Sequence, residues 1–358
     1  MPWDEGLVNS LVYDRPDPAE GRIISCVRAI HDALTVAMDH DPRVFVLGQG
    51  VDDPSAMFGT TRGLQAQFGP RRVFDTPLSE EAMMGVSVGA AMNGMRPVYM
   101  HNRPDFVLLA FNQLVTHAAK LHFMDNGQTT VPMVVWAAIG RGWGSGAQHS
   151  QAIQGLLLGV PGLKIVMPST PHDSKGLLLS AIADNNPVCV FEHRWLMKKD
   201  GVVPEGFYRV PIGKGIYRRR GRDVTIVGAS HAIELGLQAA TALSGEGIDA
   251  EVIDLRTIKP LDEEIVLESL HRTGRIVAVD TGWMKGGVCA EIGCLAAEKG
   301  HADLKAPVRR VGLPDVPTPA GFALEQFYYP DAARIASAAR HLVRHGDREA
   351  PGRSPHQS

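Results

Sequence analysis

Apolar residues along the chain alternate between two rhythms, a helical three-to-four spacing and short unbroken runs. The spacing is helical from Ile23 through Met38, and Arg43-Val44-Phe45-Val46-Leu47-Gly48 then reads as a buried strand ending at a glycine turn. The alternation predicts a helix over Glu80–Met92, a strand over Pro97–Met100, a helix across Phe106–Phe123 and a strand over Val131–Ala137. A strand over Leu163–Met167, a helix over Asp173–Ala183 and a strand over Val188–Phe191 continue it. Apolar runs separated by amphipathic helices are expected of parallel sheets covered on both faces.

The rhythm breaks near residue 194, where Lys198-Lys199-Asp200-Gly201, Pro204-Glu205-Gly206 and Arg218-Arg219-Arg220-Gly221 suggest a linker with a peripheral hairpin over residues 201–221. A second series follows, with strands at Val224–Gly228, Ala250–Asp254, Ile276–Asp280 and Val308–Val311. Its helices are expected at His231–Leu243, Glu263–His271, Val288–Lys299 and Asp331–Arg344. The expected fold is therefore α/β, with two doubly wound domains over residues 22–200 and 222–345. A polar arm over residues 1–21, with Pro16 and Pro18, precedes them, and a disordered polar tail over residues 346–358 follows.

Composition narrows the function. With 36 Lys plus Arg against 39 Asp plus Glu, the net charge of -3 supplies no field for gripping nucleic acid. No run approaches the roughly 18 apolar residues of a membrane span. The first residues carry Asp4, Glu5, Asp14, Asp17 and Glu20 in place of a signal peptide's apolar core, so a cytoplasmic protein is expected. Cys26, Cys189, Cys289 and Cys294 form no C-x-x-C pair and are expected to be reduced core residues.

Three segments carry candidate chemistry. In Leu78-Ser79-Glu80-Glu81, Ser79 is a candidate N-cap, and both glutamates fall where the helix dipole favours negative charge. The helix behind them is Ala, Met, Gly and Val, so one glutamate is carried toward a buried site, unless both serve only the helix start. Gly140-Arg141-Gly142-Trp143-Gly144-Ser145-Gly146-Ala147-Gln148-His149 follows a strand and forms a loop at its carboxyl end, where ligands bind in such sheets. His149 either moves a proton or binds an oxyanion there, or merely caps the next helix. His101-Asn102-Arg103-Pro104-Asp105-Phe106 is a charged, aromatic turn after another strand, either lining a pocket or solvated. Neither a dinucleotide G-x-G-x-x-G, a P-loop, a G-x-S-x-G elbow nor a histidine pair with metal-ligand spacing backed by carboxylates is present.

T-P-L-S-E at 76–80, G-V-S-V-G-A-A-M-N-G-M-R-P-V at 85–98, G-A-Q-H-S-Q at 146–151, P-G-L-K-I-V-M-P at 161–168, D-N-N-P-V at 184–188 and V-I-D-L-R-T-I-K-P-L-D at 252–262 occur in one order. In that order the chain resembles the beta subunit of the thiamin-diphosphate-dependent decarboxylating component of 2-oxo acid dehydrogenases, such as pyruvate dehydrogenase, within the transketolase superfamily. The resemblance spans roughly residues 22–345 and implies a pyrimidine-binding domain followed by a transketolase C-terminal-like domain. It places the catalytic glutamate on Glu80 and the loop histidine on His149. It places the apolar cofactor contact on Leu78 and the aromatic against the pyrimidine on Phe106. A potassium site of backbone carbonyls maps to Met133, Ala181, Ile182, Asp184 and Asn186. Against the family pattern, Tyr99-Met100-His101-Asn102-Arg103 replaces an acidic and aromatic stretch and Leu109 replaces a glutamine, so His101, Arg103 and Gln148 become substrate-pocket candidates.

The superfamily's G-D-G and following Asn, which hold magnesium and diphosphate, are absent. The resemblance therefore implies an alpha-type partner carrying that half of the site, with magnesium held mainly by the partner, in an alpha2-beta2 assembly. On this expectation the enzyme decarboxylates a 2-oxo acid and passes the remaining unit to an acceptor, a lipoyl acyltransferase being one partner. Two alternatives stand beside it: the C-terminal half of a split transketolase moving a ketol unit between sugars, and a non-catalytic interaction subunit.

Overall fold

The computed structural model describes residues 18, 20–53, 55, 57–141 and 144–345. The expected arm and tail fall almost wholly outside these residues, as do Gly142 and Trp143. Within them, two α/β layers are built as the alternation dictates.

The first sheet has the order β12-β6-β7-β5-β4-β2-β3. Its parallel strands are β2 (Val44–Gly48), β3 (Val73–Phe74), β4 (Arg96–His101), β5 (Val134–Ile139), β6 (Lys164–Val166) and β7 (Val188–His193). Helix α1 (Cys26–His40) buries Ile30, Leu34 and Met38 at helical spacing under this sheet. The second sheet has the order β14-β13-β10-β11-β9. Its core is β10 (Val224–Gly228), β11 (Ala250–Asp254), β13 (Ile276–Trp283) and β14 (Arg309–Leu313), all parallel.

The segment expected as a linker with a hairpin forms no hairpin, because its two strands pair elsewhere. β8 (Asp200–Val203) pairs antiparallel with β1 (Arg22–Ser25), and β9 (Ile216–Arg219) pairs antiparallel with β11 as the edge of the second sheet. The basic run misleads because Arg218 is not solvated. Its guanidinium is buried in ion pairs with Asp173 and Asp254, and Arg256 also reaches Asp173, at 3.0 Å. A charge is buried only where it is paired, so these residues weld the two units together. Asp254 ends β11, and Leu255 and Arg256 then lead into β12 (Thr257–Lys259), which crosses over to pair antiparallel with β6.

The helix expected over Phe106–Phe123 is divided into a 3-10 stretch at Pro104–Ala110, a π-helical stretch at Asn112–Ala118 and a short helix α4 at Leu121–Met124. Pro104 starts it early, since a first-turn residue needs no N–H. Val107, Ala110, Leu114 and Ala118 stay buried on one face while the winding changes beneath them. Cys294 is exposed, against expectation, and the other three cysteines are buried and free. None of the described helices is long and apolar enough to cross a membrane.

Candidate active site

The carboxyl ends of β2, β3, β4, β5 and β7 bring Gln49, Glu80, His101, Gly140 and His193 to one edge of the first sheet, the edge where ligands bind in open α/β sheets. Glu80 opens helix α3 (Glu80–Met92), whose buried face is Met84, Ser87, Val88 and Ala91. Ser79 occupies the N-cap position, but its hydroxyl makes no capping bond. The two glutamates separate as the sequence requires of neighbours on a helix. Glu80 is buried, and its Oε1 accepts from Gln49 Nε2 at 3.2 Å, whereas exposed Glu81 accepts from Asn112 Nδ2 at 3.4 Å.

Beside Glu80 lies a small cavity lined by Gln49, Tyr99, Met100, His101, Asn102 and Phe106. His101 is buried in it, its ring tilted 47° against Tyr99 with ring centroids 4.1 Å apart. Burial alone pushes its imidazole down to about 3, so it stands neutral, and its Nε2 has no hydrogen-bond partner. Burial first, and then the Glu80 charge, raise the Tyr99 phenol, which therefore also stays neutral. The cavity, of about 10 Å³, has room for about one water and does not itself hold a ring. Its aromatic wall, the neighbouring buried carboxylate and the unpartnered ring nitrogen would serve a hydrogen-bonding heterocycle seated at its mouth.

The loop after β5 closes over this edge. The His149 ring meets Phe106 edge-on at 5.5 Å, and its carbonyl accepts from Arg103 Nη1 at 2.8 Å. Gln151 donates to Asp105 Oδ1 from its backbone N and from its Nε2, at 3.2 and 2.8 Å. Burial raises the Asp105 carboxyl, and these bonds offset part of that. Gly140 is required here: its φ is +89°, and a Cβ on it would lie 2.7 Å from the His193 ring. On the far side, Arg141 pairs with buried Glu325 and lies over the rings of Trp195, Phe322 and Tyr329.

The structure thus brings Glu80, His101, Arg103, Phe106 and His149 to one edge but gives them different surroundings. His101 is sealed in the cavity as a neutral group, so it offers no charge to an anion, while Arg103 turns out to the loop carbonyl. His149 and Gln148 are exposed, and Leu78 is 80% exposed. Gln49 was not singled out from the sequence. The available signal was its place directly after Gly48, at the carboxyl end of a strand.

Met133, Ala181, Ile182, Asp184 and Asn186 gather at the opposite edge, where β5 and β7 begin. There Arg96 Nη1 donates to the Ile182 and Asp184 carbonyls at 2.8 and 3.0 Å, and the Met133 carbonyl accepts from Val188 N. The guanidinium already brings positive charge to this turn, which lowers what a potassium ion would gain there. Among the described residues, no group of three or more His, Cys, Asp or Glu could hold a metal ion.

Comparison with known proteins identifies the two units. Residues 23–199 match the transketolase pyrimidine-binding domain, and residues 213–335 match the transketolase C-terminal domain. The chain is 41% identical over 335 residues to the beta subunit of acetoin:2,6-dichlorophenolindophenol oxidoreductase from Cupriavidus necator, covering 91% of this chain and 99% of that protein. It is 40% identical to the beta subunit of 2-oxoisovalerate dehydrogenase from Bacillus subtilis, covering 90% and 99%. A solved structure described as a split gene transketolase, inactive beta4 tetramer, shares the fold at a TM-score of 0.73 and 24% identity, covering 91% of this chain and all of that one. The chain belongs to the family of beta subunits of thiamin-diphosphate-dependent 2-oxo acid dehydrogenases, the decarboxylating components built from transketolase pyrimidine-binding and C-terminal domains.

Proposed function

We propose that this chain is the pyrimidine-holding half of a two-component enzyme that breaks the bond between the carbonyl and carboxylate carbons of a 2-oxo acid and hands the remaining unit to an acceptor. The observation that carries this reading is Glu80, a buried carboxylate beside an aromatic-walled cavity in a chain of this family. When bound, thiamin diphosphate supplies the carbanion that attacks the ketone and stores the electron pair released by cleavage. Glu80 holds the proton at a pyrimidine ring nitrogen, so that the exocyclic nitrogen is available as a base. Phe106 packs against the ring and Leu78 covers its approach. His149, exposed at the mouth, orients the donor carboxylate or moves a proton at the acceptor, with Gln148 and Arg103 beside it. His101 contributes a neutral hydrogen bond inside the cavity. Potassium has no part in this reading.

The diphosphate and magnesium belong to an alpha-type partner in an alpha2-beta2 assembly, because this sequence lacks the G-D-G element that would hold them. A lipoyl acyltransferase is the acceptor-bearing partner if the product is an acyl group, and the assembly works in the cytoplasm. The Cupriavidus necator relative favours one second reading, in which the cleaved bond is that of acetoin; the same residues would serve it.

The chain co-purified with its partner is to be assayed with 2-oxo acids, acetoin and sugar ketoses, using an artificial electron acceptor. Glu80→Gln is expected to lower kcat by at least about 100-fold, and unchanged turnover contradicts the role given to Glu80. Ketol transfer between sugars without 2-oxo acid turnover would move the chain to the split-transketolase reading. Inactivity on all donors, with thiamin diphosphate still bound, would make it an interaction subunit.

A further inference from the structure

Gln49 follows a point where two strands of the first sheet approach closely. Gly48 before it has φ +150°, and a Cβ there would lie 2.2 Å from the Met100 carbonyl, so β2 and β4 come too close for any side chain. The Gln49 carbonyl accepts from Asn102 Nδ2 at 3.3 Å, and Gly50 N donates to Asp75 Oδ1 at 2.5 Å. With the backbone braced on both sides, the side chain crosses to Glu80 Oε1. An ionised carboxylate only accepts, so the amide nitrogen must face it. A carboxamide does not titrate, so it keeps this donor at every pH.

We infer that Gln49 is a positioning residue: its amide engages one oxygen of Glu80 and thereby fixes the carboxylate, leaving the other oxygen for the cofactor's ring nitrogen. The inference rests on the reading of Glu80 as the cofactor's partner. A carboxylate free to rotate meets the ring nitrogen in only part of its conformations, so loss of the amide lowers both cofactor affinity and turnover.

The test uses the chain with its alpha-type partner and compares the native protein with Gln49→Met, Gln49→Glu and Glu80→Gln. Thiamin diphosphate affinity and kcat are measured from about pH 4.5 to about pH 8.5, so as to span the raised second ionisation of a carboxylate pair sharing a proton. Gln49→Met keeps length but has no donor, and both quantities are expected to fall about tenfold at every pH, as the loss of one hydrogen bond implies. Gln49→Glu is the conservative rescue. At the acid end one carboxyl of the pair is protonated, donates as the amide did, and affinity relative to native is close to one. As pH rises the proton is lost, two like charges face each other, and relative affinity falls at least about tenfold.

A packing role alone would lower both variants without this pH dependence, and that result overturns the inference, as does native behaviour in both. If Gln49→Met does not fold, the pH dependence of Gln49→Glu decides alone. If Glu80→Gln is inactive while the Gln49 variants behave as native, only this inference fails. If Glu80→Gln is fully active, the reading of Glu80 fails with it.

Discussion

The two sheets present carboxyl ends of the same kind, yet only one of them is available for chemistry. In the first, β2 and β4 end at a small cavity lined by a neutral imidazole and aromatic rings, with the buried Glu80 carboxylate reached through Gln49. In the second, each central strand ends against the first unit. Asp254 at the end of β11 meets Ser169 of the first unit as well as Arg218 of β9, Asp280 in β13 accepts from Gln154 Nε2 at 3.0 Å, and His231 after β10 stacks on His193 at 4.8 Å. A doubly wound sheet offers a ligand crevice by topology alone. Whether the crevice becomes a site depends on what docks there, and here the docking of one unit consumes the second edge and steadies the outer half of the first.

The largest test of this contrast is Asp173→Ala. Burial alone would raise the Asp173 carboxyl, but Arg218 and Arg256 reverse this and hold it well below the usual carboxylate range. Removing it takes from two buried guanidinium groups the carboxylate they share, and unfolding in urea is expected to lose about 3–5 kcal/mol. A loss below about 1 kcal/mol, the worth of an exposed pair, would mean that these charges do not hold the second edge closed.

Asp280→Asn comes next and separates the edges by pH. Burial pushes the Asp280 carboxyl up to about 6, against bonds from Gly282 and Gln154. The folded state therefore keeps a proton that the unfolded chain has released, and this group makes stability fall as pH rises from about 4 to about 6, then level off. Denaturation across that range should show a slope contribution of up to about 1.4 kcal/mol per pH unit in the native protein, absent in the variant.

Gly140→Ala tests the shared seam. The positive φ costs about 1–2 kcal/mol, and the methyl would displace the His193 ring. Thermal unfolding and the KM for the donor should both change, because the same backbone carries the His149 loop. At the small end, Glu263→Gln removes a surface pair with Lys299 and should change stability by less than about 1 kcal/mol, with no change in turnover. A larger effect would place the second unit's surface in the account.

Legibility in the sequence followed the range of the interactions. Helix Glu80–Met92 could be read to the residue because Ser79, two acidic first-turn residues and Asn93-Gly94 bracket it locally. β12 escaped notice because its three residues gain their strand character only from β6, far away in the chain. Arg218 looked like part of a solvated run because its partners, Asp173 and Asp254, come from two other elements. His101 and Arg103 looked alike in the sequence, and they part because β4 ends between them. Gln49 left only the mark of its place after Gly48 at a strand's carboxyl end, and an amide there becomes informative only once Glu80 stands opposite it.

The central claim is that the open edge around Glu80 is half of a cofactor site. Its most direct test is a calorimetric titration of thiamin diphosphate with magnesium into this chain alone, into its alpha-type partner alone, and into the two together. Saturable tight binding in the mixture only, weakened by Glu80→Gln, is the predicted result. Tight binding by this chain without a partner, or a mixture indifferent to Glu80, would contradict it.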